Sequence, residues 1–321
     1  RTAGISEGLT VKHISTNGGT PAITFREALF ESMSADGGLY TPERLDPLSR
    51  AERSSLRGGD FPAVAGRLAR HLLGTEFDAD TLEEIVTTAL DFPIPLTELS
   101  DGVHLLELFH GPTLAFKDVG ARFMARTMRA CHRADERLTI LVATSGDTGS
   151  AVADAFLGLE NTRIVVLFPD GQVSELQERQ FTTLGDNVRA LAVQGTFDDC
   201  QKLAKTAFAD NELRRCLPLT SANSINIGRL LPQIFYYFGA WAQLPRSDSD
   251  LLFCIPSGNF GNLTAGLMAK RLGLPVSRFV AATNINDVVP EYLESGRYRP
   301  RPSERTISNA MDVGDPSNLA R

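Results

Sequence analysis

Residues 138–150 read LTILVATSGDTGS, and this stretch decides the fold. Its first six residues, Leu138 to Ala143, are apolar or β-branched and have the length of a buried strand. The seven that follow are small, polar or glycine, which is typical of a tight turn that opens a helix. A buried strand that leads directly into a helix is the unit of a parallel sheet covered by helices on both faces.

The same alternation continues along the chain and predicts an open α/β architecture. Further strands are expected at residues 163–168, 188–193, 251–255 and 278–283. Helices are expected at residues 149–157, 173–183, 197–209, 225–243 and 262–272. In such sheets ligands bind beyond the carboxyl ends of the strands, where loops run into helix N-termini. The first ninety or so residues differ, with Gly and Pro punctuation and an acidic helical pattern at 80–90, and are expected to form a cap.

Two loops at expected strand ends are rich in small polar residues. One is TSGDTGS at residues 144–150, and the other is PSGNFGN at residues 256–262. Their glycines let backbone N–H groups turn toward an anion at a helix N-terminus, and serine and threonine hydroxyls add donors. Ordinary helix caps would explain one or two such residues, whereas these loops contain more. Neither loop matches a Walker motif or G-x-G-x-x-G, which argues against a nucleotide site.

A single lysine, Lys117, lies in the stretch LELFHGPTLAFKDVGARFM at residues 106–124. Residues 104–109 are expected to form a short buried strand, residues 110–113 a turn, and Lys117 the start of a helix. The positive end of a helix disfavours an ammonium and favours a neutral nucleophile. A solvated surface lysine is the alternative, and the two anion-binding loops favour the catalytic interpretation.

Composition limits the classes of partner. The chain has 321 residues, 42% hydrophobic and 22% charged, with a net charge of −7. Two domains with their own cores are therefore possible, and neither nucleic acid nor an anionic membrane is an expected partner. The sequence has no apolar run long enough for a membrane span and no secretory signal pattern, so we expect a cytoplasmic location.

Cysteine and histidine spacing argues against a metal site. The cysteines show no C-x-x-C pair, the histidines show no H-x-x-x-H pair, and the cysteines are expected to be buried and inert. The residues are Cys131, Cys200, Cys216, Cys254, His13, His71, His104, His110 and His132.

One lysine with two anion-binding loops is the set of groups that a pyridoxal 5'-phosphate enzyme requires. Four segments in order, LELFHGPTLAFKD, ATSGDTGSA, SANSIN and PSGNFGN, also resemble the threonine synthase family. That family consists of pyridoxal phosphate enzymes of the tryptophan-synthase β fold type, or fold type II. The resemblance extends from about Lys12 to Asp312.

The resemblance implies a fold and a division of the chain. The expected fold is α/β, with open, mostly parallel sheets, helices on both faces, and two α/β domains plus an N-terminal cap. We expect the cap at residues 1–98, the smaller α/β domain at 99–218, and part of the larger phosphate-binding domain at 219–321. Relatives continue past the AMD motif, and the remaining segment is expected to complete the fold and to supply the partner of the pyridine nitrogen.

The resemblance also implies roles for residues. Lys117 matches the Schiff-base lysine of the family, and the loop that matches its cofactor-phosphate site contains Gly258, Asn259, Phe260, Gly261 and Asn262. Substrate contacts are expected at Thr113, Ser145, Gly146, Asp147, Thr148, Ser150, Asn223, Asn226 and Arg229. Arg229 would hold the substrate phosphate, or would be a helix-surface residue in an ordinary salt bridge. Asn17 stands where many relatives have arginine, which puts a substrate contact there in doubt.

The expected activity is that of a lyase converting O-phospho-L-homoserine and water to L-threonine and phosphate, the last step of threonine biosynthesis. A related phospholyase or a threonine dehydratase is the alternative within the class. A non-catalytic module that binds pyridoxal phosphate or another anion is the alternative from another class. The oligomeric state is expected to be a monomer or homodimer.

Overall fold

The computed structural model describes residues 10–131, 137–245 and 250–321. Its central sheet has four parallel strands in the order β7, β6, β5, β8. The strands are β5 (Leu138–Ala143), β6 (Thr162–Pro169), β7 (Val188–Val193) and β8 (Leu219–Ser221). Every residue of β5 is buried, as expected of a central strand in a two-faced sheet.

Helices cover both faces of this sheet, and the alternation along β5 shows why. Ile140 and Val142 join the main core, which includes α6 (Asp147–Phe156). Leu141 and Ala143 point to the opposite face and pack with Cys200 and Ala204 of α8 (Phe197–Ala209). The remaining helices of this part are α5 (Lys117–Cys131), α7 (Glu175–Thr182) and α9 (Asn211–Cys216).

A second parallel sheet has two strands. It pairs β9 (Leu251–Pro256) with β10 (Val276–Ala282), and α12 (Gly261–Arg271) connects them. The predicted α/β fold with open, mostly parallel sheets is therefore confirmed. The chain then continues through α13 (Val288–Ser295) and two short 3-10 turns at Asn309–Met311 and Ser317–Ala320.

The N-terminal part is mainly helical. Its elements are β1 (His13–Ser15), α1 (Phe25–Glu31), β2 (Tyr40–Pro42), α2 (Arg50–Leu56), α3 (Phe61–Leu73) and α4 (Ala79–Ala89). Each of these four helices has an N-cap residue whose side chain accepts a hydrogen bond from a backbone N–H group. Thr24 and Ser49 form capping boxes at α1 and α2, and aspartates cap α3 and α4. The acidic pattern predicted as a helix at 80–90 corresponds to α4. The domain boundaries at residues 98 and 218 stay predictions.

Two of the predicted elements were wrong in detail. The strand expected at 104–109 is β4 (Val103–Leu106). Within the described residues it pairs only with the antiparallel β3 (Leu96–Ser100), and Val103 and Leu105 are exposed rather than buried. The helix expected at 225–243 is two helices, α10 (Ile227–Leu230) and α11 (Gln233–Gln243). Pro232 separates them because it has no N–H to donate to the preceding turn.

Within the described ranges, no helix combines the length and the apolar character that a membrane crossing needs.

Candidate active site

A cavity of about 1680 Å³ lies at the carboxyl ends of β5, β8 and β9. Eleven of the predicted site residues line it: Lys117, Ser145, Asp147, Thr148, Asn223, Arg229, Gly258, Asn259, Phe260, Gly261 and Asn262. The site therefore forms where parallel strands end and helices begin, as the sequence pattern predicted.

Lys117 is the first residue of α5 and lies in the cavity wall. Its Nζ donates to Oδ2 of Asp147 at 2.9 Å and lies 4.9 Å from the centroid of the Phe116 ring. The expected position at a helix start is confirmed. The carboxylate of Asp147 lies within ion-pair distance of this amine, and the expectation of a neutral nucleophile stays a prediction.

Asp147 is the first residue of α6. Burial raises the pKa of its carboxyl group, but the charge of Lys117 and hydrogen bonds from Lys117 and Gln177 outweigh this effect, so the pKa lies below its ordinary value. Gln177 comes from α7 and donates from Nε2 to Oδ1 of Asp147. The aspartate is thus an ionised group held at both of its oxygens.

Hydrogen bonds between residues of the loop at 144–150 stabilise its conformation. Oγ1 of Thr144 accepts hydrogen bonds from the N–H groups of Gly146 at 2.9 Å and Gly149 at 2.8 Å. Gly146 has a φ of 140° and lies against Gln177, so only glycine fits there. The hydroxyl groups of Ser145 and Thr148 border the cavity and bond to no other described residue. Two hydroxyl donors are therefore available to a carboxylate ligand.

The loop at residues 258–262 presents backbone donors. The N–H groups of these five residues bond to no acceptor in the described parts of the chain, and α12 begins after Phe260 without a side-chain cap. Phe260 has a φ of 59°, which turns the chain into the helix. An uncapped helix N-terminus with successive free N–H groups binds a phosphate dianion well. These residues therefore fit the phosphate group of pyridoxal phosphate, and Lys117 in the same cavity fits its aldehyde.

Four predicted contacts lie outside the cavity wall: Thr113, Gly146, Ser150 and Asn226. The N–H and hydroxyl of Thr113 both donate to Asp118. The amide of Asn226 bonds to Leu29, Ser221 and Gly228. These side chains hold the loops that form the wall.

Arg229 is not the helix-surface residue of the alternative interpretation. It is only 3% exposed, and burial lowers its pKa to about 10, although Asp118 raises it. Its Nη1 donates to the carbonyl of Ala222 at 2.6 Å, while its Nε has no partner in the structure. No carboxylate among the described residues lies within 4.0 Å of its guanidinium. A buried cation at a cavity wall, with no carboxylate among the described residues at ion-pair distance, is suited to an anionic ligand.

Several residues that shape the site were not predicted. Nδ2 of Asn309 bonds to the carbonyl of Ser145 at 3.3 Å and to Gln177 at 3.1 Å, and Asn259 bonds to Ser224 at 2.6 Å. Gln177 and Ser224 have no local pattern that marks them, because they reach the site only through the tertiary fold. Asn309 directly precedes the AMD motif, at which the resemblance ends.

The cysteine prediction was partly wrong. Cys200 is buried and Cys131 is half-buried, and burial raises the pKa of both thiols to about 11. Cys216 and Cys254 are exposed. Cys254 lies on β9, which pairs with β10 alone in the described part of the chain, so it is less covered than its apolar surroundings in the sequence suggested. No group of potential metal ligands occurs in the described residues, and His132 lies outside them.

Comparison with known proteins gives one consistent family. The family model "Pyridoxal-phosphate dependent enzyme" matches residues 84–321, and the model "Threonine synthase N terminus" matches residues 12–90. The threonine synthase of Haemophilus influenzae is 50% identical over 302 residues, which are 93% of this chain and 70% of that protein.

Solved structures agree with this result. The crystal structure of threonine synthase from Escherichia coli superposes with a TM-score of 0.92 at 47% identity, covering 96% of this chain and 72% of that one. A pyridoxal phosphate-bound threonine synthase from Brucella melitensis gives a TM-score of 0.90 at 42% identity, covering 97% and 68%. The chain belongs to the threonine synthase family of pyridoxal phosphate-dependent enzymes.

Proposed function

We propose that this chain is a lyase that converts O-phospho-L-homoserine and water to L-threonine and phosphate, the last step of threonine biosynthesis. The observation that carries the proposal is the position of Lys117 in one cavity with two anion-binding loops. One loop can hold the cofactor phosphate, the other can hold the substrate carboxylate, and Arg229 remains for the substrate phosphate. Three anion sites match one cofactor and one substrate with two acidic groups.

Each loop contributes a different kind of donor. The N–H groups of residues 258–262 would hold the phosphate of pyridoxal phosphate at the N-terminus of α12. The hydroxyl groups of Ser145 and Thr148 would orient the substrate carboxylate. When bound, the cofactor supplies a ring that stores the electrons released as the Cα–H bond breaks.

Lys117 would move the protons. Its neutral amine accepts the proton from Cα of the substrate, and its ammonium returns protons where the reaction needs them. It would also take the proton from Cβ, which allows the γ-phosphate to leave, and water then adds at Cβ. Each time Nζ is charged, the carboxylate of Asp147 lies within ion-pair distance of it.

Arg229 would bind the leaving phosphate group. Its Nη2 donates to no described residue, and its guanidinium has no carboxylate partner there. A charge-assisted hydrogen bond to phosphate is about twice as strong as a neutral one, which favours an arginine at this position.

Parallel assays separate this function from its rivals. Release of phosphate, threonine and 2-oxobutyrate should be measured with O-phospho-L-homoserine, O-phosphothreonine and threonine as substrates. Net threonine formation from O-phospho-L-homoserine supports the proposal, whereas 2-oxobutyrate as the main product indicates a dehydratase or phospholyase. Cofactor absorbance without any turnover indicates a binding module.

The variant Lys117→Ala provides the control for these assays. It should lose both turnover and the visible absorbance of the lysine–cofactor adduct, because it lacks the amine that is proposed to form this adduct. Full activity of the purified variant would show that Lys117 has been assigned wrongly.

We also propose the three-part division of the chain at residues 98 and 218, a monomeric or homodimeric state and a cytoplasmic location. Light scattering coupled to size-exclusion chromatography tests the oligomeric state.

A further inference from the structure

The ion pair between Lys117 and Asp147 is the closest contact that the reactive amine makes. Nζ lies 2.9 Å from Oδ2, and the two side chains are 12% and 24% exposed. Solvent therefore screens this pair less than it screens a surface pair. Asp147 is the only carboxylate within 4.0 Å of Nζ among the described residues.

Several other charged groups around α5 have partners elsewhere. On α5 itself, the carboxylate of Asp118 accepts two hydrogen bonds from Thr113. Asp154 of α6 lies 4.0 Å from Arg122 of α5. Arg129 of α5 pairs with Glu84 of α4. On α1, Arg26 pairs with Glu76, Glu27 accepts from Thr24, and Glu31 accepts from Tyr40. Arg229 of α10 lies against Gly120 of α5. Asp147 is therefore the counter-charge of Lys117.

The carboxylate of Asp147 is also fixed in direction. Nε2 of Gln177 donates to Oδ1, which leaves Oδ2 for Lys117. The amide oxygen of Gln177 in turn accepts from Ser174 at 2.8 Å and from Asn309 at 3.1 Å. The chain of contacts from Asn309 through Gln177 thus holds the oxygen that Lys117 uses.

We propose that Asp147 pairs with Nζ of Lys117 whenever this amine carries no cofactor, so that opening this ion pair is a required step in attaching the cofactor aldehyde to Nζ. The inference rests on the proposed role of Lys117. For attachment, the ammonium first releases a proton to solvent. The neutral amine then forms a C–N bond to the aldehyde carbon, and the aldehyde oxygen leaves as water. No oxidant or reductant is needed.

The same carboxylate should act during turnover. Each time Lys117 accepts a proton from the substrate, Asp147 stabilises the resulting ammonium and keeps it at the same place. Asp147 would then affect kcat more than KM, because it acts through Lys117 rather than through a substrate group.

Chemical labelling of the cofactor-free protein tests the inference directly. Cyanate reacts with neutral amines, so the carbamylation rate of Lys117 reports how often its amine is free and uncharged. Mass spectrometry compares Lys117 with Lys202, Lys205 and Lys270 in the same digest, which corrects for reagent and pH. At about pH 7.5, Asp147→Asn should raise the relative labelling of Lys117 by at least about threefold, because the counter-charge is lost.

Two further variants make the result specific. Asp154→Asn changes a carboxylate on the same helix that faces Arg122, and it should label like the wild type. Gln177→Met removes the hydrogen bond to Asp147 but keeps the carboxylate, and it should raise the labelling of Lys117 by a smaller factor. This second variant tests the inference even if Asp147→Asn folds poorly.

Binding of pyridoxal phosphate gives an independent measurement. The visible absorbance of the lysine–cofactor adduct should appear faster in Asp147→Asn than in the wild type at the same cofactor concentration. Equal labelling and equal attachment rates in both proteins would overturn the inference about Asp147. If Lys117→Ala still forms the adduct, the proposed role of Lys117 fails instead, so the two failures are distinguishable.

Discussion

Gly258 and Met311 are in backbone contact at the start of the loop at residues 258–262. A Cβ atom built on Gly258 would lie 2.6 Å from Cα of Met311 and 3.0 Å from its carbonyl atoms. The loop proposed to hold the cofactor phosphate therefore packs against the segment that ends in Asp312. Asp312 fixes that segment by accepting hydrogen bonds from Asn284 at 2.8 Å and Thr306 at 2.7 Å.

Substituting Gly258 by alanine should weaken cofactor binding. Because the three nearest atoms all belong to the backbone of Met311, the loop must shift, and overpacking of this kind costs about 1–3 kcal/mol. We expect the dissociation constant for pyridoxal phosphate to rise about tenfold. Fluorescence titration of the cofactor-free protein measures it. Gly66→Ala is the matched control, since the nearest atom to its Cβ lies at 3.9 Å, and wild-type affinity in Gly258→Ala would contradict the prediction.

Asp118 fixes the turn that leads to Lys117. Its two oxygens accept from the N–H of Thr113 at 2.9 Å and from the hydroxyl of Thr113 at 2.6 Å. Burial raises the pKa of Asp118 above its ordinary value, although the hydrogen bonds from Thr113 oppose this. The buried group therefore depends on these two donors.

Replacing Asp118 by asparagine should lower both stability and cofactor content. The new amide N–H group faces a donor, and a buried unsatisfied donor costs about 1–3 kcal/mol. Urea denaturation measures the loss, and absorbance measures the cofactor bound after purification. Thr113→Ser keeps both donors and should behave like the wild type. An Asp118→Asn protein with unchanged unfolding would show that the contact contributes little.

Sequence patterns could predict those helices, strands and turns whose conformation is determined by residues close together in the chain. The run from Leu138 to Ala143, the glycines of the two loops and the apolar spacing after Lys117 each determine backbone conformation within a few residues. Strands β5 and β7 and helix α8 were accordingly predicted with the bounds that the structure shows. The three-residue strand β8 was not predicted, because so short a segment has no measurable period.

The parts of the site that sequence could not predict depend on contacts between distant residues. Gln177 meets Asp147 across 30 positions, and Asn309 meets Ser145 across 164. The position of Asn226 is another example. The resemblance implies a substrate contact there, which stays a prediction, whereas the structure shows its amide accepting from the N–H of Gly228 at the start of α10 and donating to Leu29.

Arg229→Lys tests the proposed phosphate contact. Lysine keeps the positive charge. Its single ammonium, however, cannot replace a planar guanidinium that donates to the carbonyl of Ala222 with one nitrogen and presents another nitrogen to the substrate phosphate. We expect KM for O-phospho-L-homoserine to rise about tenfold, with a smaller change in kcat, since a charged hydrogen bond contributes about 1.5–3 kcal/mol. Arg126→Lys is the control, because Arg126 bonds to the carbonyl of Ala155 and lies outside the cavity wall. Equal KM values for the two variants would argue against the contact.

His13 should make the protein less stable in mild acid. Its ring is 2% exposed, packs 5.7 Å from the ring of Phe25, and has no hydrogen-bond partner at either nitrogen. Burial, with a smaller effect from Arg321, lowers its pKa from 6.5 to about 4. Between these two pKa values the His13 ring is therefore protonated in the unfolded chain but neutral in the folded chain.

This difference sets the sign and size of the pH effect. His13 should reduce the free energy of unfolding as the pH falls from 6.5 to about 4, and the loss should be complete below that range. At about pH 5 its contribution is roughly 2 kcal/mol, from about 1.5 pH units at 1.36 kcal/mol each. In His13→Leu, which keeps an apolar contact with Phe25, the loss between about pH 7 and pH 5 should be smaller by this amount. Urea denaturation of both proteins at the two pH values measures the difference, and parallel losses would assign the acid sensitivity to other groups.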